Sequence, residues 1–227
     1  MMRLKRIEHI NFEKFSWQTQ VALKELARWV FKDMGPWTEG KTHPAFYRGY
    51  RVCTNLRLWE LHYGWGDKHG RTIQTELSEE FVRVGLDRDL PFEGRLSDDG
   101  IFVLDEDAVE ELYDNPLRQR FLRLALEKLS APKVEVSEMV EDALTAVARW
   151  AILKESFSCF EPRFRICWNV ENYLTWLGKS EAEVAKAYQE LSKVFGVMYP
   201  FESEEGFDTE EEIWKNDRRL SFLAQFI

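Results

Sequence analysis

Imidazole, carboxylate and indole meet in the stretch Trp59-Glu60-Leu61-His62-Tyr63-Gly64-Trp65-Gly66-Asp67-Lys68-His69-Gly70. His62, Asp67 and His69, brought together across a glycine-rich turn, would supply a general acid and base or ligate a divalent metal, which is the chemistry of a hydrolase or nuclease. Their spacing matches no specific template, because H-E-x-x-H, a G-x-S-x-G elbow and paired cysteine ligands are all missing. The plainer account is a polar hairpin tip whose glycines serve the backbone. Neither G-x-x-x-x-G-K-[ST] nor G-x-G-x-x-G is present, so the two common phosphate cradles are excluded. The expectation is no resident metal and no cofactor, with catalysis by these three side chains as an alternative.

Charge gives a broader signal. Residues 41–71 hold Lys41, Arg48, Arg51, Arg57, Lys68 and Arg71 against Glu60 and Asp67, a net +4 within a chain of net charge -9. The same segment carries Phe46, Tyr47, Tyr50, Trp59, Tyr63 and Trp65, together with His43, His62 and His69. Guanidinium groups make forked contacts to carboxylate or phosphate, and rings anchor interfaces. Arg48, Arg51 and Arg57 are therefore the expected charged contacts, with Trp59 and Trp65 as anchors. The competing account packs the rings inward and pairs the arginines with the chain's own carboxylates. The leading expectation is a non-enzymatic binding protein, an adaptor, regulator or subunit of a larger assembly, that contacts an anionic partner through segment 41–71, either an acidic protein segment or a phosphate group. Direct nucleic-acid binding without catalysis is the other alternative, disfavoured by the overall negative charge but open to a local basic site.

Other residues that invite chemistry have structural explanations. Cys159 and Cys167 lie in apolar settings that favour the neutral thiol, and with Cys53 they make an odd count without C-x-x-C, as expected of reduced thiols in the cytoplasm. Arg118, Arg120 and Arg123 mark one side of an apolar helix. Arg163 and Arg165 alternate with Phe164 and Ile166 and would extend a basic surface only if the fold brought them to it. Acidic runs at 105–114 and 202–212 overlap expected helix starts, where carboxylates favour the helix dipole. No run approaches the length of a membrane span, and the charged start lacks the apolar core of a cleaved signal.

The elements follow from periodicity and punctuation. Ser16 caps a helix to about Met34, with Leu23, Leu26, Ala27, Val30 and Phe31 on one face, ended by Gly35-Pro36. Strands and tight turns are expected over 45–65, a returning strand over 71–77 and another over 101–104. Asn115-Pro116 opens a helix, Ser137 precedes a long one with a stripe at Val140, Ala143, Leu144, Val147 and Ala151, and a further helix ends at Gly178. Ser180-x-x-Glu183 is a capping box for a helix stopping at Gly196, and Thr209-x-x-Glu212 repeats the pattern before a last helix. The expected fold class is α+β, with an N-terminal helix and small antiparallel sheet followed by a mainly helical C-terminal half. The division would be 1–104 and 105–227, or one continuous globule. No repeat of fixed period stands out.

Overall fold

The computed structural model describes residues 6–33, 43–47, 52–65, 73–86, 116–130, 134–198 and 212–227. Eight α-helices carry most of them: α1 (Trp17–Arg28), α2 (Val52–His62), α3 (Ile73–Val84), α4 (Pro116–Leu129), α5 (Glu138–Leu153), α6 (Ile166–Trp176), α7 (Glu181–Met198) and α8 (Asp217–Leu223). Among the described residues there is no β-strand, only one isolated bridge between His43 and Phe46, so the α+β expectation is corrected to all-α. The strands expected over 45–65 are in the main α2. The β-branched and aromatic residues there share a helical face, with Val52, Cys53, Leu56 and Trp59 buried at i, i+1, i+4 and i+7. The returning strand is α3, which buries Ile73, Leu77 and Phe81 at i, i+4 and i+8. The strand expected over 101–104 and the boundary at 104/105 lie outside the described residues. No described helix is long and apolar enough to cross a membrane.

The chain divides into two compact units, residues 1–131 and 132–227. In unit 1, Ser16 caps α1 by accepting from the Thr19 N–H, and a π-helical turn over Trp29–Asp33 continues the helix. Helix α1 packs against α4 and α2, and α2 packs against α3. Phe12, Phe81 and Phe121 form the aromatic centre, Phe121 lying 5.5 Å from Phe12 and 5.2 Å from Phe81. Burial of each such ring stabilises the unit by roughly 1.5–3 kcal/mol. In unit 2, α5 packs against α6 and α8, and α6 packs against α7. The stripe Val140, Ala143, Leu144, Val147 and Ala151 is wholly buried.

The two units repeat one plan. Ser16 and Ser137 are the N-caps of α1 and α5, 121 positions apart. At the same offset Ala22-Leu23 matches Ala143-Leu144, and Ala27-Arg28-Trp29 matches Ala148-Arg149-Trp150. From Phe46/Phe160 onward the offset falls to 114, joining Cys53 to Cys167, Asn55 to Asn169, Gly64 to Gly178, Glu76 to Glu190, Leu77 to Leu191 and Phe81 to Phe195. In the last helices it is 101, joining Arg118, Phe121 and Leu122 to Arg219, Phe222 and Leu223, all six buried.

Interactions repeat with the residues. Glu76 accepts from the Ser16 N–H and hydroxyl at 2.9 and 3.0 Å, and Glu190 accepts from the same two groups of Ser137, the hydroxyl at 2.7 Å. Asn55, fully buried, accepts from Tyr47 N–H at 2.7 Å and donates to Tyr47 carbonyl at 3.1 Å; Asn169 does the same with Glu161 at 2.9 and 3.2 Å. Trp29 meets Phe46 at 5.6 Å, and Trp150 meets Phe160 at 5.1 Å. Phe81–Phe121 at 5.2 Å is matched by Phe195–Phe222 at 5.0 Å, both edge-on. Helices α2 and α6 both end on a left-handed glycine, Gly64 at φ 70° and Gly178 at φ 75°. The periodicity escapes a fixed-period search because connections of different length shift the offset twice.

Candidate interaction surface

The basic aromatic segment is described at 43–47 and 52–65. Its first turn is held by its own side chains: His43 Nδ1 accepts from the Ala45 N–H at 3.1 Å, and the imidazole stacks on Phe46 at 4.1 Å. The Asn55 clamp then fixes the backbone of Tyr47, whose ring stays exposed. This histidine serves the turn.

Helix α2 separates the remaining candidates into two faces. Trp59 is sealed in the core against Tyr63 at 5.2 Å, and Trp65 is buried edge-on against Trp17 at 5.0 Å. Both indoles thus pack inward instead of offering an anchor to a partner. Arg57 donates to Glu60 at 2.9 Å, and the other oxygen of this buried carboxylate accepts from the Ile73 N–H at 3.0 Å, so Glu60 joins the end of α2 to the start of α3. Arg57 consequently shares its charge with a carboxylate of its own chain. Leu61 and His62 face outward, and the His62 ring stands edge-on to Tyr63 at 4.7 Å. Arg48, Arg51, Asp67 and His69 lie outside the described residues. No group of three His, Cys, Asp or Glu side chains placed to hold a metal occurs among the described residues.

The candidates elsewhere are placed more fully. Arg118 is buried within α4, whereas Arg120 reaches Glu8 at 3.1 Å and Arg123 lies over the Phe31 ring at 4.3 Å. Cys53 and Cys167 are buried, and burial pushes the partly covered Cys159 thiol upward, which favours its protonated form. None of the three cysteines forms a disulfide. Arg163 is exposed, and Arg165 is 8% exposed at the N-cap of α6, with Nε and Nη1 buried and without a hydrogen-bond partner.

Sequence reasoning missed the exposed end of α6. Trp176 is 60% exposed and Leu177 49%. Trp176 stacks on Tyr173 at 6.0 Å, Tyr173 on Phe160 at 5.7 Å, and Phe160 meets Trp150 at 5.1 Å. This ladder of rings fixes a surface indole from the core outward. Its available signal was the pair Trp176-Leu177 directly before Gly178, at the end of a helix whose buried face was already supplied by Ile166, Val170 and Leu174.

No protein-family model, curated protein or solved structure matches this chain.

Proposed function

We propose that the chain acts by binding, as a cytoplasmic adaptor or subunit of a larger assembly, and that segment 41–71 contacts an acidic surface of a protein partner. The observation that carries this reading is the net +4 concentrated in 31 residues of a chain whose total is -9. Tyr47, Leu61 and His62 support it as exposed members of the segment. An acidic protein patch is favoured over nucleic acid because a polyanion extends beyond the basic segment and meets the repulsion of the remaining carboxylates. Arg48 and Arg51 are assigned the charged contacts, while Arg57, Trp59 and Trp65 serve the packing of α2.

A fluorescein-labelled 20-residue Glu-rich peptide tests the reading by anisotropy. Binding that weakens with added salt, and at least tenfold in an Arg48→Glu/Arg51→Glu variant, is the expected result. Affinity untouched by that double substitution refutes the assignment. Tighter binding to a DNA duplex of equal charge would replace the protein partner with nucleic acid.

A further inference from the structure

The internal repeat explains a groove in unit 2 and indicates what fills it. The groove, about 250 Å³, is lined on α5 by Glu138, Met139 and Asp142, and on α6 by Tyr173 and Leu174, with Leu177 at its C-cap and Lys179 just beyond. At 121 and 114 positions earlier, the residues corresponding to Glu138 and Lys179 are Trp17 and Trp65. In unit 1 these two indoles are buried and meet edge-to-face at 5.0 Å, with an interplanar angle of 85°. Tyr173 corresponds to the sealed Trp59. The same helical corner is therefore closed by a tryptophan pair in unit 1 and left open in unit 2, where charged residues replace both members.

We propose that this groove receives a tryptophan side chain from a basic segment of a partner protein. Its volume exceeds the roughly 150 Å³ that accommodates benzene in an apolar cavity, leaving room for an indole. Met139, Tyr173, Leu174 and Leu177 supply apolar and aromatic contact, and the stacked Trp176 provides a held ring beside them. The rim selects charge. Glu138 and Asp142 are exposed, and their side chains make no hydrogen bond or ion pair among the described residues, whereas Lys179 is engaged by Glu183 at 3.8 Å. Glu138 and Asp142 put two carboxylates on the groove itself, so its rim attracts cations. This surface is distinct in location and sign from the basic segment of unit 1, and the two tests are independent.

The probe is a fluorescein-labelled 12-residue peptide with one tryptophan between two pairs of lysines, measured by anisotropy with the full chain. Replacing its tryptophan by alanine is expected to weaken binding about thirtyfold, the scale of an interface hot spot. Exchanging its lysines for glutamates abolishes binding. In the protein, Glu138→Trp/Lys179→Trp restores the pair found in unit 1, so it fills the groove and removes peptide binding while circular dichroism is retained. Asp142→Lys, at an exposed position, weakens binding at least tenfold and serves as the deciding variant if the double substitution perturbs folding. Equal affinity of the tryptophan and alanine peptides, or undiminished binding by Asp142→Lys, overturns the proposal. Sedimentation showing self-association that is lost with Glu138→Trp/Lys179→Trp would assign the groove to a second copy and likewise overturn it.

Discussion

Lys24 carries a charge into the core of unit 1, and replacing it by methionine should make the protein more stable at neutral pH. The residue is 2% exposed on α1, among Ala22, Leu23, Leu26 and Ala27, and burial pulls its amine from 10.5 to about 8, with Arg28 adding repulsion and Glu25 partly opposing both. At about 1.36 kcal/mol per pKa unit, holding the proton in the folded state at pH 7 costs on the order of 3 kcal/mol relative to the unfolded chain. The folded amine releases its proton near pH 8 while the unfolded one keeps it to about 10.4, so this cost disappears as pH rises through that window. Lys24→Met retains the unbranched apolar stem and removes the titration. Urea unfolding followed by circular dichroism at pH 7, 8, 9 and 10 should show the variant more stable by up to about 3 kcal/mol at pH 7, with the difference closing towards pH 10. Cys159 and Tyr188, whose folded-state values burial raises, lose stabilisation over the same range, but they are common to both proteins and cancel in the difference. A variant less stable than the parent at pH 7, or a difference independent of pH, would refute the reasoning.

The repeated serine–glutamate clamps give a paired prediction. Glu76→Gln in unit 1, where the carboxylate is buried and also accepts from Thr19 at 2.8 Å, should cost about 1–3 kcal/mol, whereas Glu190→Gln on the half-buried counterpart, whose bond to Ser137 is solvent-exposed, should cost under about 1 kcal/mol. Urea unfolding of the two variants measures the ratio, and equal costs contradict the role of burial. Arg165→Met should be neutral or stabilising by about 1–2 kcal/mol, because it removes a buried guanidinium with two unbonded nitrogens; a loss of stability in the same assay rejects that account.

Local punctuation made the second unit legible. Ser137 and the long apolar stripe mark α5 at its observed start, and Gly178 does close α6 in the left-handed conformation. Ser180 and Glu183 form the expected capping box, with Ser180 N–H donating to the carboxylate at 2.9 Å and the Glu183 N–H donating back to the hydroxyl at 3.4 Å. These features depend on neighbouring residues, so they can be read without tertiary information. Other boundaries were overridden: α7 continues through Gly196 to Met198, and α8 is capped by Asn216 after a short 3-10 turn at Ile213–Lys215. Thr209, expected to open that helix, lies outside the described residues.

In the first unit, ring-rich sequence misled. Val52, Cys53, Leu56 and Trp59 suit a pleated strand as well as a buried helical face, and only the packing of α2 between α1 and α3 decides. The same packing turns Trp59 and Trp65 inward, which composition could not show. Charge and rings are densest in segment 41–71, yet the open groove lies in unit 2, where Glu138 and Lys179 stand in place of the two tryptophans that close its counterpart in unit 1. That contrast becomes visible only after the units are aligned through their caps and clamps.

The asparagine clamp also defines where this architecture tolerates added chain. From tryptophan to phenylalanine the connection covers 17 positions in unit 1, Trp29 to Phe46, and 10 in unit 2, Trp150 to Phe160, yet the rings meet and Asn55 and Asn169 grip the backbone in the same way. The entropic penalty of the longer closure is only about half a kcal/mol. This junction is therefore the place to graft added chain, because the downstream latch holds the same register after connections of 10 and of 17 positions.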